Sequence, residues 1–201
     1  MSLTQYYTAT TLDGFIADPD DSLDWLFTRD QDLDGPLNYT EFISGIGALA
    51  MGSTTYEWII GHEFSGKDPA EWKWPYDIPC WVFTHRALTV VPGAQVVFTS
   101  ADVTSVHAEM VNAAGGKNVW IVGGGDLVGQ FADVGLLDEV IVYIAPSRSD
   151  AASLSSRARS SYASRSSLAT ATLPAPGTQS CRPLGPSATR RRRLRRAARV
   201  P

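Results

Sequence analysis

The chain has 201 residues, 44% hydrophobic and 19% charged, which suits a globular domain with its own core and excludes disordered and fibrous classes. Its net charge of −4 averages two unlike polymers: residues 1–146 carry five cations against 20 carboxylates, a balance of −15, while residues 147–201 carry 12 Arg against Asp150 alone, a balance of +11. No apolar run approaches the roughly 18 residues of a membrane helix, and the opening MSLTQYY lacks a basic segment followed by an apolar one; no membrane partner is expected, and the expected location is the cytoplasm.

Residues 4–10 (TQYYTAT), β-branched and aromatic, predict a strand that breaks at the turn residues Leu12-Asp13-Gly14. Asp18-Pro19-Asp20-Asp21 marks a second turn, and an Asp-rich loop runs on through Gly35-Pro36. Residues 38–45 predict a short helix with Tyr39, Phe42 and Ile43 on one side. The apolar run Ile46 to Met51, bounded by Gly52, has the length of a buried strand. Ser53-Thr54-Thr55 supplies N-cap chemistry for a helix over 53–60, with Glu57 in its first turns. A loop rich in Trp and Pro follows. Residues 80–84 (CWVFT) predict another buried strand, ended by His85-Arg86, and residues 96–98 a short one. A helix is expected from Asp102 to Ala114, with Val103, Val106 and Met110 at helical spacing and Gly115-Gly116 as its stop. Residues 119–122 predict a strand, Gly123-Gly124-Gly125 a turn, Asp126 to Val134 a helix, and residues 139–144 a last strand. Strands alternating with helices indicate an α/β fold with a mostly parallel sheet.

After Pro146 the pattern stops. Residues 147–201 hold 12 Ser, 12 Arg and 10 Ala without any Ile, Phe, Trp, Lys or Glu, so they are expected to bury too little surface to offset their ordering entropy. Two segments follow: a domain over 1–146 and a Ser/Arg/Ala-rich, disordered tail over 147–201.

Three loops carry candidate chemistry. In VWIVGGGDLVGQF, Val119 to Phe131, a strand ends in three glycines and a helix begins at once; this suits a phosphate cradle and equally a plain tight turn. Gly52-Ser53-Thr54-Thr55 repeats the strand–Gly–helix plan, with hydroxyls that would bind phosphate or merely cap. Thr84-His85-Arg86 places a cation at a third strand end, where it would meet an anionic ligand or stand free. All three fall at strand C-terminal ends, the ligand edge of open α/β sheets. Cys80 and Cys181 build neither a disulfide framework nor a zinc site, and Cys80 reads as a small buried residue. The acidic cluster Asp18, Asp20, Asp21 and Asp24 lacks the Gly and terminal Glu of a calcium loop, and His62 and His107 lack spaced partners, so no metal is expected. No nucleophile–base arrangement supports a hydrolase.

The stretches TATTLDGFIADPDDSLDWL, ALAMGSTTYEWI, CWVFTHR and NVWIVGGGDLVGQFADVGLLDEVIVYIAP resemble the dihydrofolate-reductase-like family that includes the reductase domain of bacterial riboflavin biosynthesis, over residues 4–146. The resemblance implies a three-layer α/β/α fold, NADPH as hydride donor and a homodimer. It implies that Gly123, Gly124, Gly125, Asp126 and Leu127 hold the pyrophosphate. Gly52, Ser53, Thr54 and Thr55 would hold phosphate or ribose, and Thr84, His85 and Arg86 would lie near the adenosine phosphate. Ser53 stands where the family often has Arg, which removes a bidentate anion contact. Asp13 is the implied catalytic carboxylate, orienting a polar substrate or relaying a proton, with turn capping as its other role. Trp25 would shield the pocket or fill the core. The implied substrate is a pyrimidine- or pteridine-like heterocycle, as in reduction of 5-amino-6-(5-phosphoribosylamino)uracil. The alternatives are folate reduction proper, for which Glu41 is poorly placed, and a nucleotide-binding relative without turnover.

Where the family continues past its "IAP" with a stretch like VTLGxGxPLLPR, this chain has Ser147-Arg148-Ser149-Asp150. Permitted codons for Ser147 to Arg165, read in a shifted frame, give TLGRGKPLLPR, so the tail reads as an out-of-frame translation of a GC-rich gene. On that reading the closing strands of the sheet are lost. The run Arg190 to Arg199 would otherwise attract nucleic acid, but its lack of Lys and the abrupt loss of pattern at one residue favour the shifted frame.

Overall fold

The structure, a computed structural model, describes residues 2–18, 22–27, 38–144 and 167–172. Its elements are β1 (Thr4–Thr10), α1 (Asp24–Phe27), α2 (Tyr39–Ser44), β2 (Ile46–Gly52), α3 (Ser53–Phe64), a 3-10 turn (Pro69–Glu71), β3 (Cys80–Phe83), β4 (Val96–Thr99), α4 (Val103–Ala113), β5 (Asn118–Gly123), α5 (Gly125–Asp133), β6 (Glu139–Ile144) and β7 (Ser167–Thr172). The strands form one sheet in the order β4-β3-β2-β5-β1-β6-β7, parallel throughout except for β7.

The apolar runs mark strands covered on both faces. Along β2 every residue from Ile46 to Met51 is buried, because a parallel sheet carries a helical layer on each side. Ala48, Ala50, Val119 and Ile121 face α4 and α5 through Val106, Met110, Leu127 and Phe131. Leu49, Met51, Trp120 and Val82 face α2 and α3 through Phe42, Tyr56, Ile59 and Phe64. The three-layer α/β/α architecture follows from those two clusters. The layer over β2 is close: a Cβ on Gly47 would lie 2.1 Å from the Ala114 carbonyl oxygen, so only glycine lets the end of α4 rest on this strand. Asp102 caps α4, accepting from Thr104 N at 3.0 Å and Ser105 N at 3.1 Å. Cys80 is buried in β3, and burial pushes its thiol up to about 12, as suits a packing residue.

Three expectations change. The N-cap of α3 is Gly52, not the Ser-Thr-Thr run: Ser53 is already helical, and no side chain caps the first turn. The helix also continues past residue 60 to Phe64, since Phe64 extends the buried face of Tyr56 and Ile59. And the tail does contribute a strand: β7 (SLATAT) lies antiparallel to β6, pairing Glu139 with Thr172 through Ile144 with Ser167. The backbone edge of β6 offers unpaired hydrogen-bonding groups, and an alternation of Thr with small residues is sufficient to meet it. Composition averaged over the tail hides so short a segment. The remaining expectations for the tail, its disorder and shifted frame, fall on 145–166 and 173–201, outside the described residues.

Candidate functional site

All six parallel strands end at one edge of the sheet. From β2 the chain passes outward to β3, and from β5 it passes the other way, beyond β1, to β6, so the connections diverge at the β2–β5 pair. Crevices at such divergence points, above strand C-terminal ends, are where open α/β sheets bind ligands.

Two adjoining cavities lie there. The first, about 400 Å³, has Thr8 and Ala9 of β1 and Val122 of β5 at its base, with the starts of α3 (Thr54, Thr55) and α5 (Gly124 to Asp126) as walls. Ile16, Ala17, Leu23 and Leu26 form its rim. The two helix starts touch: a Cβ on Gly123 would come 2.9 Å from Thr55 Oγ1. Cβ atoms on Gly124 and Gly125 would meet nothing within 4 Å, so these residues leave an open cradle. The Gly123–Gly124 peptide is cis. The N-caps Gly52 and Gly124 offer no side-chain acceptor, which leaves the first-turn N–H groups of two helices, of 12 and 9 residues, for a ligand at the cavity. This donor set fits the diphosphate of a dinucleotide.

The second cavity, about 590 Å³, shares Thr8, Ala9, Leu23, Leu26, Trp58 and Val122 with the first. Most of its remaining wall is aromatic, from Tyr7, Phe27, Tyr39, Tyr76, Trp120 and Tyr143, with Asn38, Thr40 and Glu63 as polar members. Trp120 anchors it. The rings of Tyr39 and Tyr76 stand edge-on to the indole at 6.0 and 6.2 Å, and Trp120 Nε1 donates to the Tyr7 carbonyl at 3.2 Å. Burial, reinforced by the neighbouring Tyr39, raises Tyr76 well above the ordinary phenol value; burial also raises Tyr39 and Tyr7. These phenols stay protonated and able to donate. No local signal in the sequence marks this cavity, whose parts come from seven separated stretches of chain.

The other predicted residues fall as follows. Gly52, Ser53, Thr54, Thr55, Gly123, Gly124, Gly125 and Asp126 are brought together at the two helix starts. The side chain of Leu127 packs in the core against Phe131 and Met110, so only its backbone belongs to the cradle. Gln130 Nε2 donates to Asp126 Oδ2 at 3.0 Å along the helix. Thr84, His85 and Arg86 follow β3, one strand beyond β2, outside both cavity walls. Arg86 forms a forked ion pair with Glu57 of α3, Nη1 to Oε1 at 3.2 Å and Nη2 to Oε2 at 2.6 Å. Asp13 is exposed in the turn before the rim, where its Oδ1 accepts from Thr11 Oγ1 at 2.6 Å. Trp25 lies between the cavity residues Leu23 and Leu26 but lines neither cavity. Asp18 accepts from Ser22 N at 2.8 Å within its own turn, while Asp20 and Asp21 lie outside the described residues. His62 stacks on Trp58, and Thr4 Oγ1 and His107 Nε2 are hydrogen-bonded at 2.7 Å. Among the described residues no cluster of His, Cys, Asp or Glu has the form of a metal site, and no helix is long and apolar enough to cross a membrane.

Known proteins are similar to this chain. The family model for the RibD C-terminal domain matches residues 59–148. Two uncharacterized Bacillus subtilis (strain 168) proteins are similar: YwjB is 31% identical over 144 residues, 71% of this chain and 76% of its own, and YyaP is 25% identical over 142 residues, 69% and 71% respectively. A crystal structure of a Shewanella sp. PV-4 protein provisionally assigned to riboflavin biosynthesis superposes with a TM-score of 0.57 at 24% identity, covering 71% of this chain and 76% of that one, a likeness of fold. The chain belongs to the RibD C-terminal domain family.

Proposed function

We propose that the chain is a reductase that moves a hydride from a reduced nicotinamide dinucleotide, NADPH in the family it resembles, to a flat heterocycle of pyrimidine or pteridine type. The observation that carries this reading is the common wall of the two cavities: Thr8, Ala9 and Val122 floor both, so ligands in each would meet edge to edge. Gly124, Gly125 and the first-turn N–H groups of α5 would hold the diphosphate, with the Thr54 and Thr55 hydroxyls opposite. The bound nicotinamide supplies the hydride. Leu23, Leu26 and Trp58, which border both cavities, would exclude water from the junction once ligands are bound, and positioning is most of what hydride transfer asks of a protein. The phenols of Tyr39 and Tyr76 are hydrogen-bonded to each other, Tyr76 donating, and the Tyr39 Oη would donate onward to a ring nitrogen or carbonyl of the acceptor. Asp13 would orient a polar substrate group from the exposed turn that precedes the rim. A second copy of the chain as partner and the cytoplasm as location belong to the same proposal.

The test mixes the full chain with NADPH or NADH, follows nicotinamide fluorescence, and then adds pyrimidine and pteridine acceptors while following loss of nicotinamide absorbance. Saturable binding with acceptor-dependent oxidation is the expected outcome. Binding without oxidation by any acceptor would instead favour a nucleotide-binding relative without turnover.

A further inference from the structure

We propose that Glu57 selects the dinucleotide: by occupying Arg86 it makes the site favour a ribose with a free 2′-hydroxyl over one carrying a 2′-phosphate. The inference rests on the reading of the first cavity as a dinucleotide site and adds a specificity residue to it. Strand order fixes the direction of the ligand. The diphosphate cradle stands at the ends of β2 and β5, and the aromatic cavity opens on the β1 and β6 side, through Tyr7 and Tyr143. A nicotinamide directed toward that cavity leaves the adenosine half to run the other way, across the end of β3. Gly52 pairs in register with Phe83, so the start of α3 and the loop after β3 stand side by side there.

Among the described residues the four cations are Lys67, Lys73, Arg86 and Lys117. Lys67 Nζ donates to the Glu63 carbonyl and Lys117 Nζ to the Ser44 carbonyl, while Lys73 lies in the Trp-rich loop. Arg86 is the one placed immediately after a parallel strand's C-terminal end. Its terminal nitrogens both face Glu57, fork against fork. That pairing takes up the guanidinium edge a phosphate would grip and sets a carboxylate beside it, which repels a phosphate dianion. A ribose 2′-hydroxyl, in contrast, donates to a carboxylate. Ser53 on the same helix start adds no charge. Both side chains are about half exposed, at 55% and 46%, so they are reachable by a ligand and their replacement leaves the core untouched.

The experiment measures dissociation constants of NADH and NADPH by nicotinamide fluorescence and calorimetry for the full chain, for Glu57→Gln and for Glu57→Gln with Arg86→Gln. The expected result is tighter NADH than NADPH in the unaltered chain. In Glu57→Gln the ratio should shift about tenfold toward NADPH, the worth of one charge-assisted hydrogen bond between the freed guanidinium and the phosphate. The double variant should lose that shift. A ratio unmoved by Glu57→Gln, or a shift that survives loss of Arg86, overturns the selection by Glu57 and leaves the dinucleotide reading standing. Failure of the unaltered chain to bind either dinucleotide overturns both.

Discussion

The two cavities are built from different material. The first sets backbone and short hydroxyls from two helix starts, at 54–55 and 123–126, where glycine lets helix starts and chain approach one another, against an apolar rim of Ile16, Leu23, Leu26 and Trp58. The second is walled by side chains, mostly rings, drawn from β1, α1, α2, α3, the Trp-rich loop, β5 and β6. A site made of backbone suits a ligand part that never varies, such as a diphosphate, because N–H groups at helix starts cannot be exchanged by substitution. A site made of rings suits the part that differs among relatives, since each ring can be replaced while the sheet stays in place. Strand β5 joins the two: Trp120 belongs to the aromatic cavity, Val122 to both and Gly123 to the cradle.

Substitutions that strike one cavity and spare the other break or sharpen this contrast. The largest effect is expected for Gly124→Val. Its branched side chain fills the open cradle, and dinucleotide affinity should fall about 100-fold, the loss of two charge-assisted N–H contacts. The melting temperature should hold, because a Cβ there meets nothing within 4 Å. Calorimetry and a thermal scan on the same sample check both halves. Next is Tyr39→Ala, which removes a half-exposed ring facing Trp120. The KM for the heterocyclic acceptor should rise about tenfold, with the dinucleotide dissociation constant unmoved; equal changes in both would dissolve the division.

A smaller effect comes from beneath the sheet, away from either cavity. Burial lowers the His107 pKa below its ordinary 6.5, outweighing the opposing pull of Asp138. The unfolded chain therefore binds a proton more readily than the folded one. The stability this histidine contributes is complete above pH 6.5 and is lost as pH falls through its lower folded value. His107→Gln should flatten that part of the acid loss in thermal scans while leaving both ligand affinities unchanged. The smallest effect is expected for Asp13→Asn. The amide oxygen still accepts from Thr11 Oγ1, so turnover should change only a fewfold, whereas a proton relay through Asp13 would cost about 100-fold or more.

Much of this was readable from the sequence, and unevenly so. Strands β2, β3 and β5 were legible because burial on both faces leaves apolar runs, β1 and β6 because of their β-branched and aromatic residues, and the cradle because Gly123-Gly124-Gly125 is a local signal between a strand and a helix. The aromatic cavity was not, since Tyr7, Tyr76 and Tyr143 meet only after the strand order is known. Helix α1, four residues in an Asp-rich stretch, has no periodicity to detect. Glu57 was visible only as a residue of a helix start; its pairing with Arg86 spans 29 positions and depends on β2 and β3 being neighbours. β7 shows the same limit from the other side, because a ready edge on β6 recruits a segment whose surroundings give no strand signal.

The central claim is that the two adjoining cavities form one hydride-transfer site, and sensitised emission tests it most directly. Trp58 lines both cavities and Trp120 the second, so a nicotinamide bound at their junction lies within energy-transfer range of both indoles. Titrating the full chain with reduced dinucleotide under tryptophan excitation should give saturable nicotinamide emission, absent in Gly124→Val and altered when a heterocyclic acceptor analogue is added. Absence of sensitised emission at saturating dinucleotide, or its persistence in folded Gly124→Val, would contradict the account.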